Sequence, residues 1–171
     1  ITDDEMLENV KKLNKKGYKV AIDILGEHVT TKEEANQITE RYAKLYSKID
    51  LQNLDANLSI KLSHIGQDLG YDFVKDNLMI LVNAAKKYDN FLRLDMENSP
   101  YTSETINLYK KALEVYPNVG IVLQAYMHRS MQDLNSLANQ EFNVRICKGI
   151  YIEDENIAYR DYNKIRENYI D

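Results

Sequence analysis

Cysteine is scarce in this chain: Cys147 is the single thiol among 171 residues. One thiol makes no intrachain disulfide, and no paired Cys/His spacing marks a structural zinc site, so a reducing compartment is expected. Prolines and glycines are also few, two and six. They fall near the ends of periodic segments, and no linker or low-complexity stretch divides the chain. No apolar run approaches the roughly 18 residues that span a bilayer, and no basic segment followed by an apolar one marks a signal peptide. A cytoplasmic location is expected, with the inner face of the membrane as a peripheral alternative. A concentrated basic face is missing as well. The 22 basic residues are scattered among 27 acidic ones for a net charge of -5, which argues against nucleic acid and an anionic membrane as partners. The sequence opens on Ile1 rather than Met, which reads as an excised fragment, and a removed tag or a processed terminus would look the same.

What is present suits a soluble, core-forming chain: 44% of residues are hydrophobic and 29% charged. Five short apolar runs rich in Val, Ile and Leu read as strands: Val20 to Leu25, Leu58 to Ser63, Phe91 to Met96, Val119 to Ala125, and Val144 to Lys148. Helical segments lie between them. In Thr31 to Lys48, Ala35, Ile38, Tyr42, Leu45 and Ile49 recur at spacings of three and four. Others run from Asp72 to Tyr88, from Ser103 to Val115 behind Thr102 as a cap, and from Glu153 through Asn168. Strict β/α alternation predicts an α/β fold with a parallel sheet.

Side chains alternate between the two faces of a strand, so the polar face can be read from parity. Leu58, Ile60 and Leu62 oppose Ser59, Lys61 and Ser63; Leu92, Leu94 and Met96 oppose Arg93, Asp95 and Glu97; Val144 and Ile146 oppose Arg145 and Cys147. A doubly wound sheet makes both faces apolar, whereas a barrel with a polar mouth tolerates this pattern. The expected fold is an incomplete TIM-type (βα)8 barrel with about five β/α units, since a whole one needs about 250 residues.

Barrel active sites lie at the carboxyl ends of the strands, and those ends supply Lys61, Asp95, Gln124, Arg145 and Lys148. Each also has a structural reading: Lys61 reaching to solvent, Asp95 capping a turn, Arg145 and Asp95 forming an ion pair. His28, His64 and His128 share no metal-ligand spacing and are expected to be solvated loop residues. Cys147 reads as core packing and most of the thirteen tyrosines as amphipathic surface or helix packing, with Tyr126 and Tyr151 set apart because they follow candidate site residues. No GxGxxG or Walker-type loop occurs.

Five segments resemble proline dehydrogenase, in order: AIDILGE at Ala21 to Glu27, LSIKLSHIGQDLG at Leu58 to Gly70, RLDMENS at Arg93 to Ser99, YPNVGIVLQAY at Tyr116 to Tyr126, and RICKGIY at Arg145 to Tyr151. The resemblance implies a distorted (βα)8 barrel that binds FAD noncovalently and oxidises L-proline to Δ1-pyrroline-5-carboxylate. Electrons would pass to membrane quinone, in the first step of proline catabolism towards glutamate. It implies Asp95 and Arg145 as catalytic residues, with Arg145 beside the flavin, and Lys61 and Tyr151 against the substrate carboxylate and ring. Met96, Gln124, Arg145, Lys148, Gly149 and Ile150 would contact the cofactor, and no metal is implied. Ile150 departs from the family, where alanine is usual. The sequence also stops before the last strands and before the YxxRR helix whose arginines grip the substrate. Two other readings stand beside this one: a lyase barrel using Asp95 and Glu97 as metal ligands or Lys61 as a Schiff-base amine, and a noncatalytic half-barrel that self-associates through its open edge.

Overall fold

The computed structural model describes residues 2–138 and 141–170; Ile1 lies outside them. The elements run α1 (Asp3–Asn14), β1 (Val20–Ile22), α2 (Lys32–Leu51), β2 (Ala56–Ile60), α3 (Tyr71–Lys87), β3 (Leu92–Leu94), α4 (Ser99–Val115), β4 (Val119–Gln124), α5 (Ser130–Asn135), β5 (Asn143–Cys147) and α6 (Tyr162–Ile170). Strand order follows chain order, β1-β2-β3-β4-β5, as β/α repetition produces. The chain forms two compact units, divided after Arg93.

In the first unit, helix ends are set by local chemistry. Thr2 and Glu5 form a capping box at α1, with Thr2 N donating to Glu5 Oε2 at 2.8 Å and Glu5 N to Thr2 Oγ1 at 3.2 Å. Thr31 accepts from Glu34 N to start α2. In the periodic apolar stripe of α2, Ala35, Tyr42, Leu45 and Ile49 are fully buried with the neighbouring Tyr46, while Ile38 is half-buried; Leu78 and Leu81 of α3 are fully buried as well. β1 and β2 pair in parallel, Val20 opposite Ala56 and Ile22 opposite Leu58. Tyr46 donates its hydroxyl to the carbonyl of Phe91 at 3.0 Å, and the Tyr42 hydroxyl accepts from Ile24 N at 3.1 Å. These tyrosines therefore tie helix to strand end, a role that periodicity alone does not assign.

In the second unit, β4 and β5 pair in parallel with Ile121 opposite Val144 and Gln124 opposite Cys147. All six residues of β4 are buried, and Leu108, Tyr109 and Ala112 of α4 lie in the same core. The Tyr109 hydroxyl accepts from Asn143 N at 3.1 Å and lies 3.3 Å from the Val119 carbonyl, joining a helix to the start of two strands.

Three expectations are corrected. α4 begins at Ser99, with Pro100 in its first turn, and Thr102 is buried inside it rather than capping it; proline suits that turn because its missing N–H has no helical partner. The last helix starts at Tyr162, not Glu153, because Asp154 folds the preceding segment into a turn. Its carbonyl accepts from Ile157 N and Ala158 N at 2.8 and 3.0 Å, and Tyr159 N then bonds the Tyr126 carbonyl at 2.7 Å. On β5, Val144 is half-buried and Ile146 is 38% exposed, so its apolar face is only partly covered.

Leu45→Ala should cost about 2–5 kcal/mol, seen as a lower urea midpoint at unchanged m, because Leu45 is fully enclosed. Lys44→Ala, on the exposed side of the same helix, should leave the midpoint nearly in place.

Candidate functional site

The polar residues at the strand ends fall into two clusters, one in each unit. In the first, Lys61 follows β2 and Asp23 follows β1; their parallel pairing lets Lys61 Nζ reach Asp23 Oδ2 at 3.1 Å. Tyr42 lies beneath, its hydroxyl 3.4 Å from Asp23 Oδ1. Lys61 is thus a braced cation, and its side chain is 20% exposed rather than extended into solvent.

His64 corrects the expectation of a solvated loop histidine. It is buried at 5% exposure, edge-on to the Tyr42 ring. A β-carbon on Gly26 would lie 2.3 Å from His64 Nε2, so only glycine lets the backbone pass there. Burial holds the imidazole below its ordinary value of 6.5; the Asp23 carboxylate pulls it up and the Lys61 ammonium pushes it down. His28 and His128 behave more nearly as expected, His28 meeting Asp68 at 2.9 Å and His128 the Glu155 carbonyl at 2.8 Å, both at exposed positions.

In the second unit, Asp95 follows β3 directly, and its carboxylate bonds the guanidinium of Arg145 from the middle of β5. The Asp95 side chain is 18% exposed and that of Arg145 49%, so the pair holds Arg145 in place while leaving half of its side chain exposed. Met96 and Gln124 are buried. Gln124 Nε2 donates to the Glu97 carbonyl at 2.9 Å, which spends its amide on holding the segment after β3.

Lys148, Gly149, Ile150 and Tyr151 form the crest beyond β5. Lys148 Nζ lies 3.1 Å from the Tyr162 hydroxyl and over its ring; among the described residues it has no carboxylate within ion-pair reach. Gly149 sits at φ +111, and a β-carbon there would lie 2.2 Å from the Tyr126 ring. Ile150 is 85% exposed, whereas Tyr151 packs on Tyr126, Met127 and Ala158. Burial first, then the Glu153 carboxylate, pushes the Tyr126 phenol up to about 12, so Tyr126 is a neutral support and not a proton carrier near neutral pH. Cys147 is half-buried and its thiol is pushed up by burial, which leaves it a poor nucleophile.

Sequence reasoning missed Asp23, which lies inside the quoted AIDILGE segment, and Glu153, whose carboxylate receives Ser99 N and Ser99 Oγ, each at 2.7 Å. Nothing local marks either; their partners lie 38 and 54 residues away. Among the described residues no helix is long and apolar enough to cross a membrane.

Comparison with known proteins agrees with the segments quoted above. The family model described as proline dehydrogenase matches residues 6–163. Proline dehydrogenase 1 of Bacillus subtilis subsp. natto is 33% identical over 160 residues, 94% of this chain and 53% of that protein. Proline dehydrogenase of Deinococcus radiodurans is 29% identical over 171 residues, covering 97% of this chain and 55% of that protein. The chain therefore spans about half the length of these relatives. Among solved structures, proline utilization A from Bdellovibrio bacteriovorus inactivated by N-propargylglycine superposes with a TM-score of 0.85 at 25% identity, over 97% of this chain and 22% of that one.

Two measurements probe these clusters. Gly149→Ala should destabilise more than Gly17→Ala, because both have positive φ but only Gly149 would drive a methyl into a ring; the gap between the two urea midpoints should correspond to at least about 1 kcal/mol. Since the folded pKa of His64 lies below its unfolded value, the unfolded chain binds more protons just below pH 6.5. The stability from neutral His64 is present above pH 6.5 and falls as pH drops through the window beneath it, and His64→Gln should flatten that part of the urea-midpoint profile.

Proposed function

The chain belongs to the proline dehydrogenase family, and on that premise we propose that the domain containing it oxidises L-proline to Δ1-pyrroline-5-carboxylate with FAD as immediate electron acceptor and a membrane quinone as the final one. The observation that carries this reading is the crest of β5. Arg145 braced by Asp95 with half of its side chain exposed, a second cation at Lys148 and an exposed aliphatic Ile150 follow one another there, on backbone that Gly149 seats against the Tyr126 ring.

These residues fit a flavin. A planar ring that gains negative charge on reduction is favoured by a fixed cation beside it and by close backbone approach. Arg145 and Lys148 would supply such cations, and Gly149 and Ile150 would line the ring from the same segment. Met96 and Gln124 contribute from buried positions, Gln124 by fixing the backbone at Glu97. When bound, FAD would supply the acceptor for the hydride leaving proline C5.

The remaining roles fall to the chain itself. Asp95 holds the Arg145 guanidinium in one orientation, so that its charge costs no reorganisation when the substrate loses a hydride. Lys61, held by Asp23, offers a compact ammonium suited to a carboxylate such as that of proline. Tyr151, fixed against Tyr126 and Met127, offers a rigid ring face to the apolar part of the substrate.

The full-length protein containing this chain should be yellow and should reduce a dye when given proline. In it, Arg145→Met should lower kcat by roughly 10²-fold while leaving the thermal midpoint almost unchanged. A colourless, proline-inert protein would overturn the assignment, and equal loss of folding and turnover would reduce Arg145 to a structural ion-pair partner.

A further inference from the structure

We infer that Glu153 is a positioning residue that fastens the crest Lys148–Tyr151 to the head of α4; the inference rests on the flavin-facing role proposed above for that crest. α4 does not cap itself. Its N-cap residue Asn98 makes no side-chain cap bond, the Asn98 Oδ1 is buried without a hydrogen-bond partner, and no acidic residue stands in the first turn. The open helix end is served instead from 54 residues away, where Glu153 Oε1 accepts from Ser99 N and Oε2 from Ser99 Oγ, both at 2.7 Å. A carboxylate at a helix N-terminus is favoured by the helix dipole as well as by these charge-assisted bonds.

The same bonds restrain the segment that carries Glu153. Its near end is fixed where the Lys148 carbonyl accepts from Tyr126 N at 2.8 Å, and its middle where Gly149 and Tyr151 lie on the Tyr126 ring and its neighbours. Ile150 and Ile152, at 85% and 99% exposure, add almost no packing to hold it. The far end is held by Glu153. Releasing that carboxylate should loosen the crest while β5, paired along its length with β4, stays formed. Glu153 acts through the crest and touches no reacting group.

The test compares Glu153→Ala with Glu153→Gln, whose amide can still accept from Ser99 N and donate to Ser99 Oγ. In this chain, trypsin cleavage after Lys148, followed by mass spectrometry, should be roughly tenfold faster in Glu153→Ala and near wild type in Glu153→Gln, with cleavage after Arg41 unchanged. In the full-length, flavin-loaded protein, Glu153→Ala should shift the flavin absorption band and raise the proline KM by about tenfold with a smaller change in kcat, and Glu153→Gln should restore both. Cleavage that is unchanged at Lys148, or that rises equally at Arg41, overturns the inference. So does a wild-type spectrum and KM in an active Glu153→Ala protein. An inert, colourless wild type overturns the functional reading instead, and the cleavage pattern then decides the anchoring alone.

Discussion

The architecture depends on buried tyrosine hydroxyls that join helices to strand termini. Tyr42, Tyr46 and Tyr109 are each fully buried, and each spends its hydroxyl on backbone at a strand end: Ile24 after β1, Phe91 before β3, and Val119 and Asn143 at the starts of β4 and β5. Strand ends are where ladder bonding stops and backbone groups need partners. A tyrosine supplies that partner while its ring fills the layer between helix and strand, so one side chain serves both packing and polar satisfaction. Phenylalanine would fill the same space and leave a buried backbone group unserved.

With the ends held in this way, charged groups can stand just beyond them. Lys61 with Asp23 and Arg145 with Asp95 are partly buried pairs, and neither cation is wholly neutralised by its neighbour's position. Such pairs contribute little net stability, since desolvation offsets much of their attraction. Their value lies in orientation, a cation held in one place with part of its surface open. Gly26 and Gly149 serve the same end from the backbone, passing His64 and Tyr126 at distances a β-carbon would not allow.

Much of this was legible in the sequence. Five strands appear within a few residues of the five apolar runs, and parity placed Leu58 and Ile60 inside and left Lys61 partly exposed, although Ser59 and Ser63 on the same face as Lys61 are buried. The Asp95–Arg145 pair was anticipated from strand-end position. Other features were not legible, for definite reasons. Helical periodicity runs through residues 153–168, yet Asp154 turns the chain and Tyr126 captures Tyr159, so tertiary hydrogen bonds override the local pattern before α6. Thr102 has the chemistry of a cap, but Pro100 and the distant Glu153 place the helix start four residues earlier. His64 reads as a loop histidine because nothing in its neighbours reveals the burial imposed by Gly26 and Tyr42.

The sequence by itself determined the β/α alternation and most of the apolar core, because hydrophobic period is a local property of the chain, and the family, because the quoted strand-end segments stand in it in order. Only the tertiary structure decided which charges are braced and which stay open, and which side chain caps α4. Those outcomes depend on partners 38 to 54 residues apart, brought together by parallel strand pairing and helix packing that no local pattern encodes.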